Sequence, residues 1–178
     1  MILTGPEIVK QVKKGNIIID NFDEKRVNPN SYNVLLDPKI KIIPKNTKID
    51  LRKKVNDRWE YIDESGYILK PGNLYLGSTI ERAGSDKYIT CLEGRSSFAR
   101  LGICVHETAG FGDIGFTGKW TLEISVRFPT KIYPNIEIAQ VYFMKPIGKR
   151  MLYTGKYSHQ DRPTSSMLYK ELNDTRHF

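Results

Sequence analysis

Apolar and polar residues alternate most cleanly between positions 120 and 128. Trp120, Leu122, Ile124, Val126 and Phe128 fall on one side, and Thr121, Glu123, Ser125 and Arg127 on the other. A period of two predicts a strand with one buried face. Read by itself, Glu123 is then a solvated carboxylate on the open face. Shorter apolar runs recur at 17–20, 32–36, 40–43, 67–69, 74–81, 88–93 and 137–144. Turn formers stand between them: Asn28-Pro29-Asn30, Asp37-Pro38, Lys70-Pro71-Gly72-Asn73 and Tyr133-Pro134-Asn135. Many short strands with breaks about every ten residues predict a mainly β chain, a sandwich or barrel.

Only one early segment carries a helical signature. Thr4 and Glu7 have the spacing of a capping box, Pro6 suits a first turn, and Gly15 is a natural stop. The pattern predicts a short N-terminal packing helix over 7–14. No internal repeat or linker divides the chain, so residues 1–178 are read as one domain. The last 20 residues are polar and strand-poor, a tail expected to order only against something else.

Composition narrows the function classes. The chain has 39% hydrophobic and 27% charged residues and a net charge of +8. Its lysines and arginines are interleaved with acids, as in 23–26 and 52–60, without a long basic run. That argues against nucleic acid as the main partner and suits a polyphosphate ligand. No apolar run approaches the roughly 20 residues of a membrane span, and MILTGPEIVK lacks a signal-peptide core. Cys91 and Cys104 form no CxxC and lie in apolar segments, so both are expected to be small buried thiols. These features together predict a cytoplasmic protein.

Two stretches before Glu123 carry candidate chemistry. In Glu93-Gly94-Arg95-Ser96-Ser97-Phe98-Ala99-Arg100, a predicted strand ends, a glycine permits a sharp turn, and two arginines and two hydroxyls follow. Free N–H groups, serine hydroxyls and guanidinium groups are phosphate ligands. A capped helix start with surface arginines accounts for the same residues. In Gly110-Phe111-Gly112-Asp113-Ile114-Gly115, the glycines predict a tight hairpin whose backbone approaches a ligand or another chain closely. Asp113 there is placed either to receive a sugar hydroxyl or to stabilise its own turn.

The run EGRSSFARLGICVHETAGFGDIGFTGKWTLEI (93–124) resembles the signature region of the dCTP deaminases, which reads GRSSLARLG, then VHxTAG, then GFxGxxTLE. LKPGNLYLGSTIE (69–81), NPNSY (28–32), IAQ (138–140) and YTGKYSHQ (153–160) resemble further motifs of that family in the same order. The likeness covers about residues 28 to 165. It implies a distorted β-barrel or jelly-roll of the dUTPase-like type, with a short N-terminal helix and few other helical turns. It also implies a homotrimer with sites built between subunits, and a tail of about 161–178 closing over the site.

The resemblance assigns roles to individual positions. Glu123 is the implied general acid/base that activates water for attack on C4 of cytosine. Ser96 and Arg100 sit beside that water, and the Ala109 carbonyl orients it. Thr121, Leu122 and Glu123 read the pyrimidine edge, and Asp113 contacts the deoxyribose. Arg95, Ser96 and Ser97, with Phe98 and Ala99 in the same turn, form the phosphate site, joined by Tyr153, Lys156 and Gln160. Gln140 is a further implied contact. The Gly110-Phe111 turn resembles the type that also cleaves the triphosphate to dUMP and pyrophosphate, whereas the single-activity type carries His-Arg there.

One carboxylate suffices for such a reaction, since it takes a proton from water and delivers it to the leaving amine. A zinc nucleobase deaminase needs H-x-E and a later P-C-x-x-C. This sequence has neither, so zinc is not expected, and magnesium is expected to arrive on the triphosphate of dCTP. The family likeness also implies dUTP as a related ligand and dTTP as a candidate feedback inhibitor. Three alternatives stay open at this level: a dUTPase, a deaminase of another deoxycytidine nucleotide, and a non-catalytic nucleotide sensor.

Overall fold

The computed structural model describes residues 1–174. It is mainly β, with eleven strands and three short α-helices among those residues. The strands run β1 Ile18–Ile19, β2 Tyr32–Leu35, β3 Lys39–Ile43, β4 Arg58–Tyr61, β5 Tyr67–Leu69, β6 Leu74–Gly84, β7 Ile89–Gly94, β8 Ile103–Cys104, β9 Thr117–Val126, β10 Thr130–Ile132 and β11 Glu137–Met144. The helices are α1 Gly5–Lys13, α2 Ser96–Ala99 and α3 Leu168–Asn173.

The largest sheet has the order β4-β3-β6-β9-β8, with β1 also paired to β6. A second sheet runs β2-β11-β7, and β10 pairs with β5 in a third. All the strand pairs are antiparallel, so each strand needs only one apolar face turned to the core. A bridge between Leu36 and Thr79 joins the β2 end of one sheet to β6 of another. Between the sheets lies one apolar cluster that includes Tyr32, Tyr75, Leu92, Leu122, Ile124 and Phe143, each fully or almost fully buried.

The β9 periodicity holds from Thr117 to Val126, with every second residue buried. Phe128 departs from it. The strand ends at Val126, and Phe128 is 64% exposed in the turn that follows. Strands β4, β8 and β10 were not legible, being two to four residues long and, in β4, charged or exposed along its length. Cys91 is buried as expected, but Cys104 is exposed because it sits on β8 at the sheet margin.

Helix α1 forms where its pattern places it, with a different N-terminus. Among the described residues Thr4 makes no side-chain cap bond, and Glu7 instead accepts from Gln11 at 2.6 Å. Its C-terminus closes as a Schellman turn. Gly15, at φ +69°, donates to Val12 and Asn16 donates to Gln11, both at 2.9 Å.

The glycine-rich stretch is not a tight hairpin. Residues 105–116 make a long excursion between β8 and β9, held down by its own chain. Leu92 N–H donates to Gly110 O at 2.7 Å, and Gly112 N–H to Thr90 O at 3.0 Å. A Cβ on Gly110 would lie 2.4 Å from Leu92 O, and one on Gly112 2.3 Å from the Trp120 ring. Close backbone approach is thus the reason for these glycines, and the neighbour is β7 and β9.

The tail orders against the body of the same chain. Tyr153 N–H donates to Ile114 O at 2.8 Å, Lys119 N–H to Gln160 O at 2.9 Å, and Thr164 N–H to Thr121 Oγ1 at 3.1 Å. Residues 175–178 of the expected tail lie outside the described residues.

Candidate active site

The open face of β9 carries Thr121, Glu123 and Ser125 on alternate positions. Two segments cover this face. The 105–116 excursion is pinned by Ser125 Oγ, which donates to Glu107 Oε1 at 2.7 Å. The tail is pinned at Thr121, as above. Between them lies a cavity of about 620 Å³ lined by Ala109, Asp113, Phe116, Trp120, Thr121, Glu123, Tyr153, Tyr157, Gln160, Thr164 and Ser166. The rest of its wall is Gly112 and the apolar Ile43, Ile49, Leu51, Val55, Leu74 and Leu76. An apolar recess with a few convergent polar groups is the usual form of a small-molecule site.

Glu123 is the chemically distinctive group in it. Burial pushes its carboxyl above the ordinary glutamate range. Hydrogen bonding from its own and the Glu107 backbone and the nearby His106 ring pull the other way, while the Glu107 charge adds to the rise. His106 is itself held to Glu93 by a 3.2 Å contact between Nε2 and Oε2. A half-buried carboxyl with a raised pKa, facing a cavity, is suited to exchanging protons with a bound ligand or water.

The other expected residues divide by position. Ala109, Asp113, Thr121, Tyr153 and Gln160 line the cavity with Glu123. Asp113 is exposed at its rim, and Tyr153 packs edge-on against Phe116 with centroids 6.2 Å apart. Gln160 Oε1 lies 3.4 Å from Thr121 Oγ1, so a tail amide and a strand hydroxyl form one polar edge. Leu122 points into the core and is fully buried, which leaves its backbone as the part facing neighbouring strands.

Arg95 through Arg100 stand elsewhere in the chain, on and around α2. Ser96, Ser97, Ala99 and Arg100 are exposed there, while Phe98 packs its ring against the core and fixes the turn. Gly94 ends β7 rather than making a left-handed turn, with its Cβ direction facing Val105. Arg95 pairs with Glu137, donating to its carbonyl at 2.6 Å and lying 3.3 Å from its carboxylate. Gln140 accepts from Ser31 Oγ at 2.6 Å and donates to Gly94 O at 3.2 Å, so its amide braces the turn that leads into α2. Lys156 pairs with Glu171 of α3 and lies over the Tyr157 ring. Phe111, beside Gly110, is 66% exposed. A single chain therefore does not bring the α2 set and Glu123 into one cavity.

Several lining residues had weak sequence signals. Ile49, Leu51 and Val55 are isolated apolar positions in a charged stretch, and their place at the cavity depends on how the 44–57 loop folds. Thr164 and Ser166 sit in the polar tail. Phe116 and Trp120 lie within the 93–124 run without an assigned role there, and their edge-to-face contact at 5.3 Å builds the cavity wall. A second recess, about 820 Å³, lies alongside and holds Asp37, Lys119, Asp161 and Arg162. Four of its charged groups are paired, Lys119 to Asp37 at 2.8 Å and Arg162 to Asp161 at 3.1 Å, whereas the Glu123 cavity holds a carboxyl raised by burial and is the better candidate.

A family model described as dCTP deaminase-like matches residues 2–146. A protein of Clostridium beijerinckii named dCTP deaminase, dUMP-forming, is 47% identical over 97% of this chain and 99% of its own length. A protein of the same name from Cytophaga hutchinsonii is 45% identical with the same coverage. Among solved structures, the 2'-deoxycytidine 5'-triphosphate deaminase of Agrobacterium tumefaciens superposes with a TM-score of 0.66 at 19% identity, over 82% of this chain. The chain spans 48% of the length of that one, and at this identity the likeness is one of fold. The chain thus belongs to the dCTP deaminase-like family.

Proposed function

We propose that this protein deaminates dCTP at C4 of cytosine and cleaves the product to dUMP and pyrophosphate. The observation that carries the reading is the Glu123 cavity: a carboxyl pushed up by burial, beside the Thr121–Gln160 polar edge. Relatives named dCTP deaminase, dUMP-forming, at 43–47% identity over nearly the whole chain support both steps, as does the Gly110-Phe111 turn.

In this reading the base enters the cavity with its exocyclic amine toward Glu123. Ionised Glu123 takes a proton from the attacking water and passes it to the amine as the C4–N bond breaks, releasing ammonia. The Ala109 backbone helps hold the water, and Asp113 at the rim receives the deoxyribose hydroxyl. Leu51, Ile49 and Phe116 keep bulk water from the base, which sustains the raised pKa of the carboxyl.

Arg95, Ser96, Ser97 and Arg100 complete the site from a second copy of the chain. This accounts for the exposure of Ser96, Ser97 and Arg100 on and beside α2, away from the Glu123 cavity, and supports a homotrimer with sites between subunits. The exposed hydroxyls and guanidinium of α2 suit a phosphate chain. The cavity lining, with two carboxylates among hydroxyls, an amide and apolar groups, is not a protein cage for a metal, which fits a magnesium ion held by triphosphate oxygens and water. Bound that way, magnesium would neutralise phosphate charge. Free nucleotides as substrates favour a cytoplasmic location, and dTTP, which shares the triphosphate and deoxyribose, is a candidate inhibitor.

The test is incubation with dCTP and magnesium, followed by chromatography of the products. Release of dUMP, pyrophosphate and ammonia is expected. Accumulation of dUTP would remove the second step, and unchanged dCTP would overturn the reading.

A further inference from the structure

Lys41 on β3 and Asp57 just before β4 are drawn out of water, with side-chain exposures of 13% and 11%, and take no part in the cavity. Lys41 Nζ lies 3.3 Å from Asp57 Oδ1 and 4.8 Å above the Trp59 ring centroid. Ser165, from the tail, completes the cluster. Its hydroxyl accepts from Lys41 Nζ at 2.7 Å and donates to the Asp57 carboxylate. Ser165 is itself only 8% exposed.

The position of Ser165 gives this cluster its meaning. On one side stands Thr164, whose N–H is bonded to Thr121 Oγ1, and on the other Ser166; both line the Glu123 cavity. The same 44–57 loop supplies Ile49, Leu51 and Val55 to the cavity lining. It also accepts a second tail contact, from Asn173 Nδ2 to Arg52 O at 2.9 Å. Loop and tail, which both line the cavity, are therefore fastened to each other.

Docking the tail covers both charges of the pair. A buried ion pair is tolerated when both partners and a further hydrogen bond are present, and removal of one partner leaves a lone charge in a poorly solvated place. With Asp57 absent, a closed tail would bury the Lys41 ammonium alone. Releasing the tail returns it to water.

We infer that Lys41 and Asp57 are positioning residues that latch the tail at Ser165, and that nucleotide affinity depends on this latch while the chemistry at Glu123 does not. The enzymatic half of the test rests on the function proposed above, and the exchange half does not. Amide hydrogen exchange and dCTP kinetics are measured on the full chain and on three variants. Asp57→Ala speeds exchange in 157–168 about tenfold and raises KM for dCTP about tenfold, with kcat within about twofold, as expected for loss of a hydrogen-bonded charge. Exchange in β6 and β9 stays as in the parent protein. Lys41→Met combined with Asp57→Leu removes both partners of the Ser165 hydroxyl but leaves no lone charge, so it moves both readouts in the same direction as Asp57→Ala by a smaller factor. Ser165→Ala, a change confined to the tail, moves both readouts in the same direction by a smaller factor and serves if Asp57→Ala fails to fold.

Unchanged tail exchange in Asp57→Ala and Ser165→Ala overturns the latch. So does a fall in kcat at constant KM, or faster exchange throughout the sheets. Failure of the parent protein to turn over dCTP removes the functional reading, and the exchange comparison still decides the latch.

Discussion

The β9 strand and the α2 turn carry the two densest sets of expected site residues, and they are built in opposite ways. On β9, Thr121 and Glu123 are half-buried, covered by the 105–116 excursion and the tail, and face a cavity that burial has already made hostile to charge. On α2, Ser96, Ser97 and Arg100 are exposed, and the turn is anchored from beneath by Phe98. The first is a place for proton transfer, the second a place for a hydrated, highly charged group. In the proposed function, the two are brought together from separate copies of the chain.

The sharpest break of this comparison is at Glu123. Glu123→Gln keeps the shape of the cavity and is expected to lower the deamination rate about 10³-fold while nucleotide still binds. Stopped assays and equilibrium binding of dCTP measure the two effects. An unaltered rate would return Glu123 to the role of a solvated strand residue.

Arg100→Ala tests the other region, with a loss of about 10²-fold in kcat/KM expected for a charge-assisted contact. Mixing it with Glu123→Gln after joint refolding then sharpens the division between chains. If each site takes Glu123 from one copy and Arg100 from another, about a quarter of the sites in equal mixtures are intact, and activity returns to that level. Mixtures as inactive as their components would place both residues within one chain.

A smaller effect is expected at the polar edge. Thr121→Val removes the acceptor of the Thr164 N–H, leaving that amide unpaired next to the cavity. The change is expected to cost about 1 kcal/mol of stability, read by denaturant titration, and to loosen the tail.

The smallest effect is a pH dependence. The Glu123 carboxyl titrates above its ordinary value in the folded chain, so the protein's stability from this group is present below the unfolded value near 4.5 and is lost as pH rises through the folded one. The Tm of Glu123→Gln should therefore exceed that of the parent protein at pH 7, and the gap should narrow as pH falls through the folded value toward 4.5. A gap independent of pH would mean that Glu123 is not desolvated. Stability of Arg100→Ala, a change on the exposed turn, should show no comparable trend.

How much of this was legible in the sequence differs element by element. Strands β5 and β11 fall at 67–69 and 137–144 as their apolar runs predict, and β9 shows the alternation from which Glu123 was read. Strand β4 escaped because Arg58, Trp59, Glu60 and Tyr61 are partly or largely exposed and carry no buried face to set a period. The glycines at 110 and 112 signalled close approach correctly but suggested a hairpin, since spacing does not say which chain segment comes near. Motif likeness gathered Ser96, Arg100 and Glu123 into one list, and the fold separates them by a strand, a turn and an excursion.

Local chemistry was thus the sequence's part: the period of β9, the hydroxyls and guanidinium groups of α2, the glycines that admit a neighbouring backbone, and a family resemblance strong enough to name candidate roles. Tertiary structure alone decided that Glu123 is half-buried with a raised pKa, because desolvation depends on what covers a residue and not on its neighbours in the chain. It likewise decided that the polar tail walls the cavity and is held at Ser165 by Lys41 and Asp57. Those contacts span more than a hundred residues of sequence, and no local pattern encodes them.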